Sequence, residues 1–226
     1  MIRRDYLVRM VQELTQALTR ILFLKKAQDY AQAAQEIERV LTRFWNLTPD
    51  QIKTWSLGQW IEQCRHEQGP MGEKLVALAG LFQEQGELYR IEGNTSEAQR
   101  SNALSLGLFL EAIASPGTII SVDLLDKVEK LIEQTSGVRL PVEVLKRLLS
   151  YYESRGMLAK AEDVLFDWLD TADPEAPPGG LAFYARLATK SDRELEQSGL
   201  PRAEVQDGRE ELLQRVRQRN QLSNKA

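Results

Sequence analysis

Apolar residues along this chain recur mostly at steps of three and four, the period of an amphipathic helix. Over residues 5–26 the stripe runs Leu7, Met10, Val11, Leu14, Leu18, Ile21, Leu22 and Lys25, with Arg9, Glu13, Gln16 and Arg20 on other faces. Asp29-Tyr30 marks a turn, and a second helix carries Ala33, Ile37, Val40, Leu41 and Phe44 on one side. Thr48-Pro49-Asp50-Gln51 has the spacing of a capping box with proline at the first helical position. It predicts a short helix with Ile52 and Trp55, and Ser56 is placed to cap the next, holding Trp60 and Ile61.

Gly69-Pro70 and Gly72 predict a break. Helical period resumes over 73–92 with Leu75, Leu78, Ala79, Phe82, Leu88 and Tyr89. Gly93-Asn94-Thr95 reads as turn and cap, followed by a helix over 96–114. Ser121 caps a helix of Leu124, Leu125, Val128, Leu131 and Ile132, which Gly137 closes. Pro141 opens a helix whose face is Val144, Leu145, Leu148, Leu149 and Tyr152. Gly156 turns into another, with Ala161, Val164, Leu165 and Trp168. The nearest approach to a strand, Thr118-Ile119-Ile120-Ser121-Val122, lies between a Pro-Gly turn and a cap and reads as a connector.

The expected fold class is therefore all-α. Residues 1–172 read as one helical domain, the Pro/Gly-rich 173–180 as a linker, and 181–226 as a C-terminal extension of two helices, 181–197 and 201–221.

A repeat is visible within this pattern. Phe82, Gly86, Tyr89, Gly93 and Ala98 have the spacing of Leu145, Leu149, Tyr152, Gly156 and Ala161, and, less closely, of Ala17, Ile21, Leu24, Gln28 and Ala33. The three alanines lie 98 − 33 = 65 and 161 − 98 = 63 residues apart. A small residue frees each tight turn, and the alanine lets two helices approach; a hairpin of this kind must stack on neighbours to bury its apolar face.

On these residues the chain resembles tetratricopeptide-like proteins over 14–45, 79–112 and 142–170. It departs from them at Asn102, where an aromatic is usual, and in the extra helices at 48–66 and 121–135. The resemblance implies divergent hairpins stacked into a curved right-handed array or a compact multi-helical domain. It also implies a concave face including Gln83, Glu87, Arg90, Lys146, Ser150 and Glu153, suited to a protein partner or peptide segment. The face lacks the Lys/Asn/Arg clamp with which chaperone-binding members hold peptide C-termini. The opening Met1-Ile2-Arg3-Arg4-Asp5-Tyr6 with its long amphipathic helix also resembles a bacterial family of unknown function.

Charge narrows the function classes. The chain has 226 residues and a formal net charge of −4. Residues 1–45 carry eight Lys/Arg against five Asp/Glu (+3), residues 209–226 five against two (+3), leaving −4 − 3 − 3 = −10 for the middle. Phosphate binding needs a basic face, so nucleic acid is disfavoured as a partner; the Arg215, Arg217, Arg219 run lacks interleaved aromatics. One cysteine, Cys64, and one histidine, His66, argue against a disulfide, a His-dependent triad or a multi-His metal site within one chain. No run of about 20 apolar residues predicts a membrane span. The expectation is a cytoplasmic, non-enzymatic interaction or adaptor protein without cofactor, metal or catalytic residues. Its partner is a protein or a second copy docking through the 7–22 stripe. The alternative is an enzyme or small-ligand binder with a site between helices. Glu84, Glu87 and Glu92, the pair Glu162 and Asp163, and the Gly179-Gly180 helix start read as surface or linker features; Tyr151, Tyr152 and Trp168 read as core.

Overall fold

The computed structural model describes residues 2–45, 47–66 and 71–223, with side chains for 12–45, 47–48, 50–65 and 71–218. Twelve helices and no strand occur among the described residues. They are α1 (Ile2–Lys26), α2 (Tyr30–Trp45), α3 (Pro49–Thr54), α4 (Leu57–His66), α5 (Met71–Ile91) and α6 (Thr95–Ala114). There follow α7 (Val122–Gln134), α8 (Val142–Ser154), α9 (Leu158–Leu169), α10 (Ala176–Ala188), α11 (Asp192–Gln197) and α12 (Arg202–Ser223). The chain divides into two compact units, Met1–Val144 and Leu145–Ala226. That division differs from the expected boundary at 173–180.

Unit 1 is built around the α5–α6 hairpin, whose two helices form the most extensive pair in the molecule. Every residue from Ala103 to Leu110 is buried, so α6 has no wet face along that stretch and shows no amphipathic stripe. The α1–α2 hairpin packs on α5, α4 packs on both α5 and α6, and α7 packs on α6. Ser105, in the middle of α6, satisfies its buried hydroxyl by donating to the Ala79 carbonyl at 2.8 Å. Trp45, Trp55, Trp60 and Phe82 meet edge to face through Trp60, at centroid separations of 6.1, 5.0 and 5.1 Å. On α2, Ala33, Ile37, Val40 and Leu41 are buried as predicted, and the buried aromatic is Trp45, while Phe44 is only half-buried. On α1, Leu14, Ala17 and Ile21 are buried and Leu22 lies outside the contact. The side chains of Leu7, Met10 and Val11 fall outside the described residues, and the predicted Gly69-Pro70 break does too.

Three hairpin turns have the same geometry. Gln28, Gly93 and Gly156 adopt φ of 58°, 77° and 70°, the left-handed region that reverses a chain leaving a helix. In each, the next N–H reaches back to the last turn: Asp29 to Leu24 O (2.9 Å), Asn94 to Tyr89 O (2.8 Å), Met157 to Tyr152 O (2.9 Å). The following helix then opens identically, with the N–H groups of Ala33, Ala98 and Ala161 donating to the carbonyls of Asp29, Asn94 and Met157. All three alanines are buried. The repeat spacing seen in the sequence thus corresponds to one recurring local structure, α1–α2, α5–α6 and α8–α9. The caps at Thr48, Asn94 and Ser121 form as their side chains predict. Residues 118–121 are irregular, with Ile119 and Ile120 exposed.

In unit 2, α10 packs on α9 and α12, and α11 on α12. The expected linker 173–180 is a turn running into the first turns of α10, with Ala176 and Gly180 buried. Proline suits the first helical turn, where its missing N–H has no intrahelical partner. The glycines are present for contact, not flexibility. A Cβ on Gly179 would stand 2.5 Å from the Trp168 ring, and one on Gly180 3.0 Å from Leu212. The expected single helix over 181–197 is two, because Ser191 and Glu194 form a capping box that starts α11.

Candidate functional site

On unit 1, helices α5, α6 and α7 leave between them a groove of about 190 Å³. Its floor is Gly86 and Ala98, the small residues of the α5–α6 hairpin. The Asn102 amide lies over Gly86, where a Cβ would come within 2.2 Å of its Oδ1. The departure from the aromatic pattern at residue 102 therefore puts a polar group where a ring would otherwise fill the space. Gln83, Gln99 and Gln134 bring three more carboxamides to the groove, with Glu87, Arg90 and Lys130 as its charged members. Each carboxamide carries both donors and an acceptor, the complement of a peptide backbone.

Glu87 is held from behind. The Lys25 ammonium on α1 bonds both Glu84 and Glu87. That hydrogen bond, aided by the charges of Lys130 and Arg90, lowers the Glu87 carboxyl below the usual range although burial opposes it. Burial works against the Lys25 charge, but the two carboxylates outweigh it and its pKa is raised. The one carboxylate of the groove is thus kept ionised and paired. The arrangement offers hydrogen bonds and fixed charge, not a general acid.

Of the expected concave-face residues, Gln83, Glu87 and Arg90 share this groove. Lys146, Ser150 and Glu153 belong to unit 2 and have other partners. Lys146 bridges Asp173 at 3.2 Å and Glu175, and its ammonium stands 5.0 Å from the centre of the Trp168 ring. Glu153 accepts a two-pronged bond from Arg186 at 2.6 and 2.8 Å. Ser150 donates to the Lys146 carbonyl of its own helix. Residues Thr95, Gln99, Asn102, Lys130 and Gln134 were not anticipated. For Lys130 and Gln134 the signal was present: they lie four apart on α7, and the buried residues of that helix are Leu124, Val128 and Leu131.

Other candidates resolve as structure. Cys64 is buried in α4, and its carbonyl accepts from the buried Lys74 ammonium at 2.8 Å; the His66 side chain lies outside the described residues. Glu162 accepts from the Tyr184 hydroxyl at 2.6 Å. Burial raises its carboxyl, opposed by that bond and reinforced by Asp163, Glu204 and Glu211. Arg215 is tied to Asp170 and Glu211 and lies over the Phe166 ring. Tyr151, Tyr152 and Trp168 are core residues. Among the described residues no cluster of three His, Cys, Asp or Glu side chains could hold a metal ion, and no helix is long and apolar enough to cross a membrane.

The class of protein defined by these features is an all-α chain of repeated helical hairpins with a polar groove on one of them. The chain belongs to a family of unknown function, DUF6483, whose model matches residues 1–217. No curated protein and no solved structure matches it.

Proposed function

We propose that this protein is a non-enzymatic protein-interaction module of tetratricopeptide-like hairpins, and that the α5–α6–α7 groove takes an extended segment of a partner protein. The observation that carries the reading is the convergence of Gln83, Gln99, Asn102 and Gln134 on one open groove floored by Gly86 and Ala98. An extended segment presents unpaired backbone N–H and C=O groups, and carboxamides satisfy both. Lys25, Arg90 and Lys130 stand against Glu84 and Glu87, and the surplus positive charge favours a segment bearing a carboxylate. The single thiol, buried at Cys64, suits a reducing compartment such as the cytoplasm.

The test is affinity purification of the full chain from its own cells, comparing wild type with Arg90→Glu/Lys130→Glu. Both side chains are exposed, so folding is expected to be unchanged by circular dichroism. The reading expects a protein recovered with wild type and lost with the variant. An identical set of recovered proteins contradicts it.

A further inference from the structure

In unit 2 three helices meet at one polar contact. Glu162 on α9 accepts from the Tyr184 hydroxyl on α10 at 2.6 Å, and α12 lies over the pair at Gly208. A Cβ on Gly208 would overlap both the Glu162 Oε1 and the Tyr184 hydroxyl, so only glycine lets the α12 backbone come this close. Glycine within a helix costs about 1 kcal/mol relative to alanine. The apolar seam that holds α12 is narrow: among its described side chains the buried apolar ones are Val205 and Leu212, with Leu212 resting against Gly180 of α10. A helix with weak intrinsic stability and few buried apolar contacts opens locally at less cost than the body it docks on.

The charges that bear on Glu162 are of its own sign. Asp163 adjoins it on α9, and Glu204 and Glu211 stand one turn to either side of Gly208 on α12. Tyr184 is the titratable group facing it from α10, and burial pushes that hydroxyl up, so it stays protonated and donates. The neighbouring cation on α12, Arg215, is engaged by Glu211 and Asp170. Burial raises the Glu162 carboxyl, the Tyr184 bond opposes the rise, and the three carboxylates add to it. Undocking α12 returns Glu162 to water and to the ordinary value of 4.5. Docking is therefore strongest below that value and weakens as pH rises through the raised one.

We propose that the Glu162–Tyr184 pair beneath Gly208 is a proton-operated latch for α12. With Glu162 protonated the helix is held down. When the proton leaves to solvent, the carboxylates of Glu204 and Glu211 face a third across the contact, and α12 opens locally, uncovering Val205 and Leu212. The latch belongs to unit 2 alone and does not rest on the groove reading in unit 1; each could fail without the other.

The experiment is amide hydrogen exchange of the full chain at successive pH values from 4.5 upward, read by mass spectrometry as protection relative to the intrinsic rate at each pH. Protection of α12 around Gly208 is expected to fall with rising pH, by up to about tenfold per pH unit, the limit for one proton. Protection of α5 and α6 in unit 1 is expected to stay level. Glu162→Gln is expected to abolish the fall. Glu204→Gln removes a like charge, so the fall should become smaller and end at lower pH. Tyr184→Phe removes the bond that favours the carboxylate, so the fall should become larger and extend to higher pH. Level protection of α12 in the wild type overturns the proposal, as does a fall that Glu162→Gln retains. So does a failure of Glu204→Gln and Tyr184→Phe to move the fall in opposite directions. If Glu162→Gln does not fold, that opposed pair decides the matter, since Glu204 is exposed and its replacement is tolerated by the fold.

Discussion

Gln28 occupies the same left-handed turn position as Gly93 and Gly156. A residue with a Cβ is strained there by about 1–2 kcal/mol, and glycine is not. Glycine also loses more freedom on folding, which offsets part of the gain. Substitutions at equivalent turns should therefore have opposite signs. Gln28→Gly is expected to raise stability by about 0.5–1 kcal/mol, and Gly93→Ala to lower it by about 1–2 kcal/mol. Urea denaturation checks both; changes of the same sign would mean that the turns are not equivalent. Glu162 offers a test by pH. Burial raises its folded-state pKa above the usual 4.5. From that value upward the unfolded chain gives up its proton before the folded one, so the Glu162 contribution to stability is lost as pH rises through the folded pKa. Stability curves of wild type and Glu162→Gln are expected to diverge, in favour of the variant, as pH rises above about 4.5. Parallel curves would show that the carboxyl is not perturbed.

At the scale of elements, α10 decides between two accounts of Gly179. In a flexible linker, alanine would be neutral or stabilising, since it favours helix over glycine by about 1 kcal/mol. Here the Trp168 ring lies against the glycine and is itself held by Asp173, whose carboxylate accepts from the indole N–H at 2.9 Å. Gly179→Ala is expected to cost about 1–2 kcal/mol through overpacking, seen as a lower midpoint on thermal unfolding. A raised midpoint would favour the linker account. The same element shows what was legible beforehand. Signals carried by neighbouring residues were readable: the caps at Thr48 and Ser121, and the turns at Gly93 and Gly156. The Pro-Pro-Gly-Gly stretch reads as a linker in the sequence because Gly179 answers to Trp168 and Gly180 to Leu212, both distant along the chain, and composition carries no trace of those contacts. The groove was half legible for the same reason. Gln83, Glu87 and Arg90 share one face of α5 by spacing alone. That α7 would bring Lys130 and Gln134 opposite them, or that Arg186 would take up Glu153, depends on packing between elements.

Across the whole chain, basic ends flank an acidic middle in the sequence, and in unit 1 an aromatic and aliphatic core underlies a groove lined by small residues and carboxamides. The scaffold and the groove are linked physically. Gly86 and Ala98 permit close approach of α5 and α6, and they form the floor on which Asn102 rests. The most direct measurement of the central claim is in-cell photo-crosslinking from a benzoyl-phenylalanine placed at Gln99, in the groove, with Glu62 on α4 as the exposed control. The account predicts a discrete adduct of this chain with another protein from Gln99 and none from Glu62. No adduct from Gln99, or the same adducts from both positions, would contradict it.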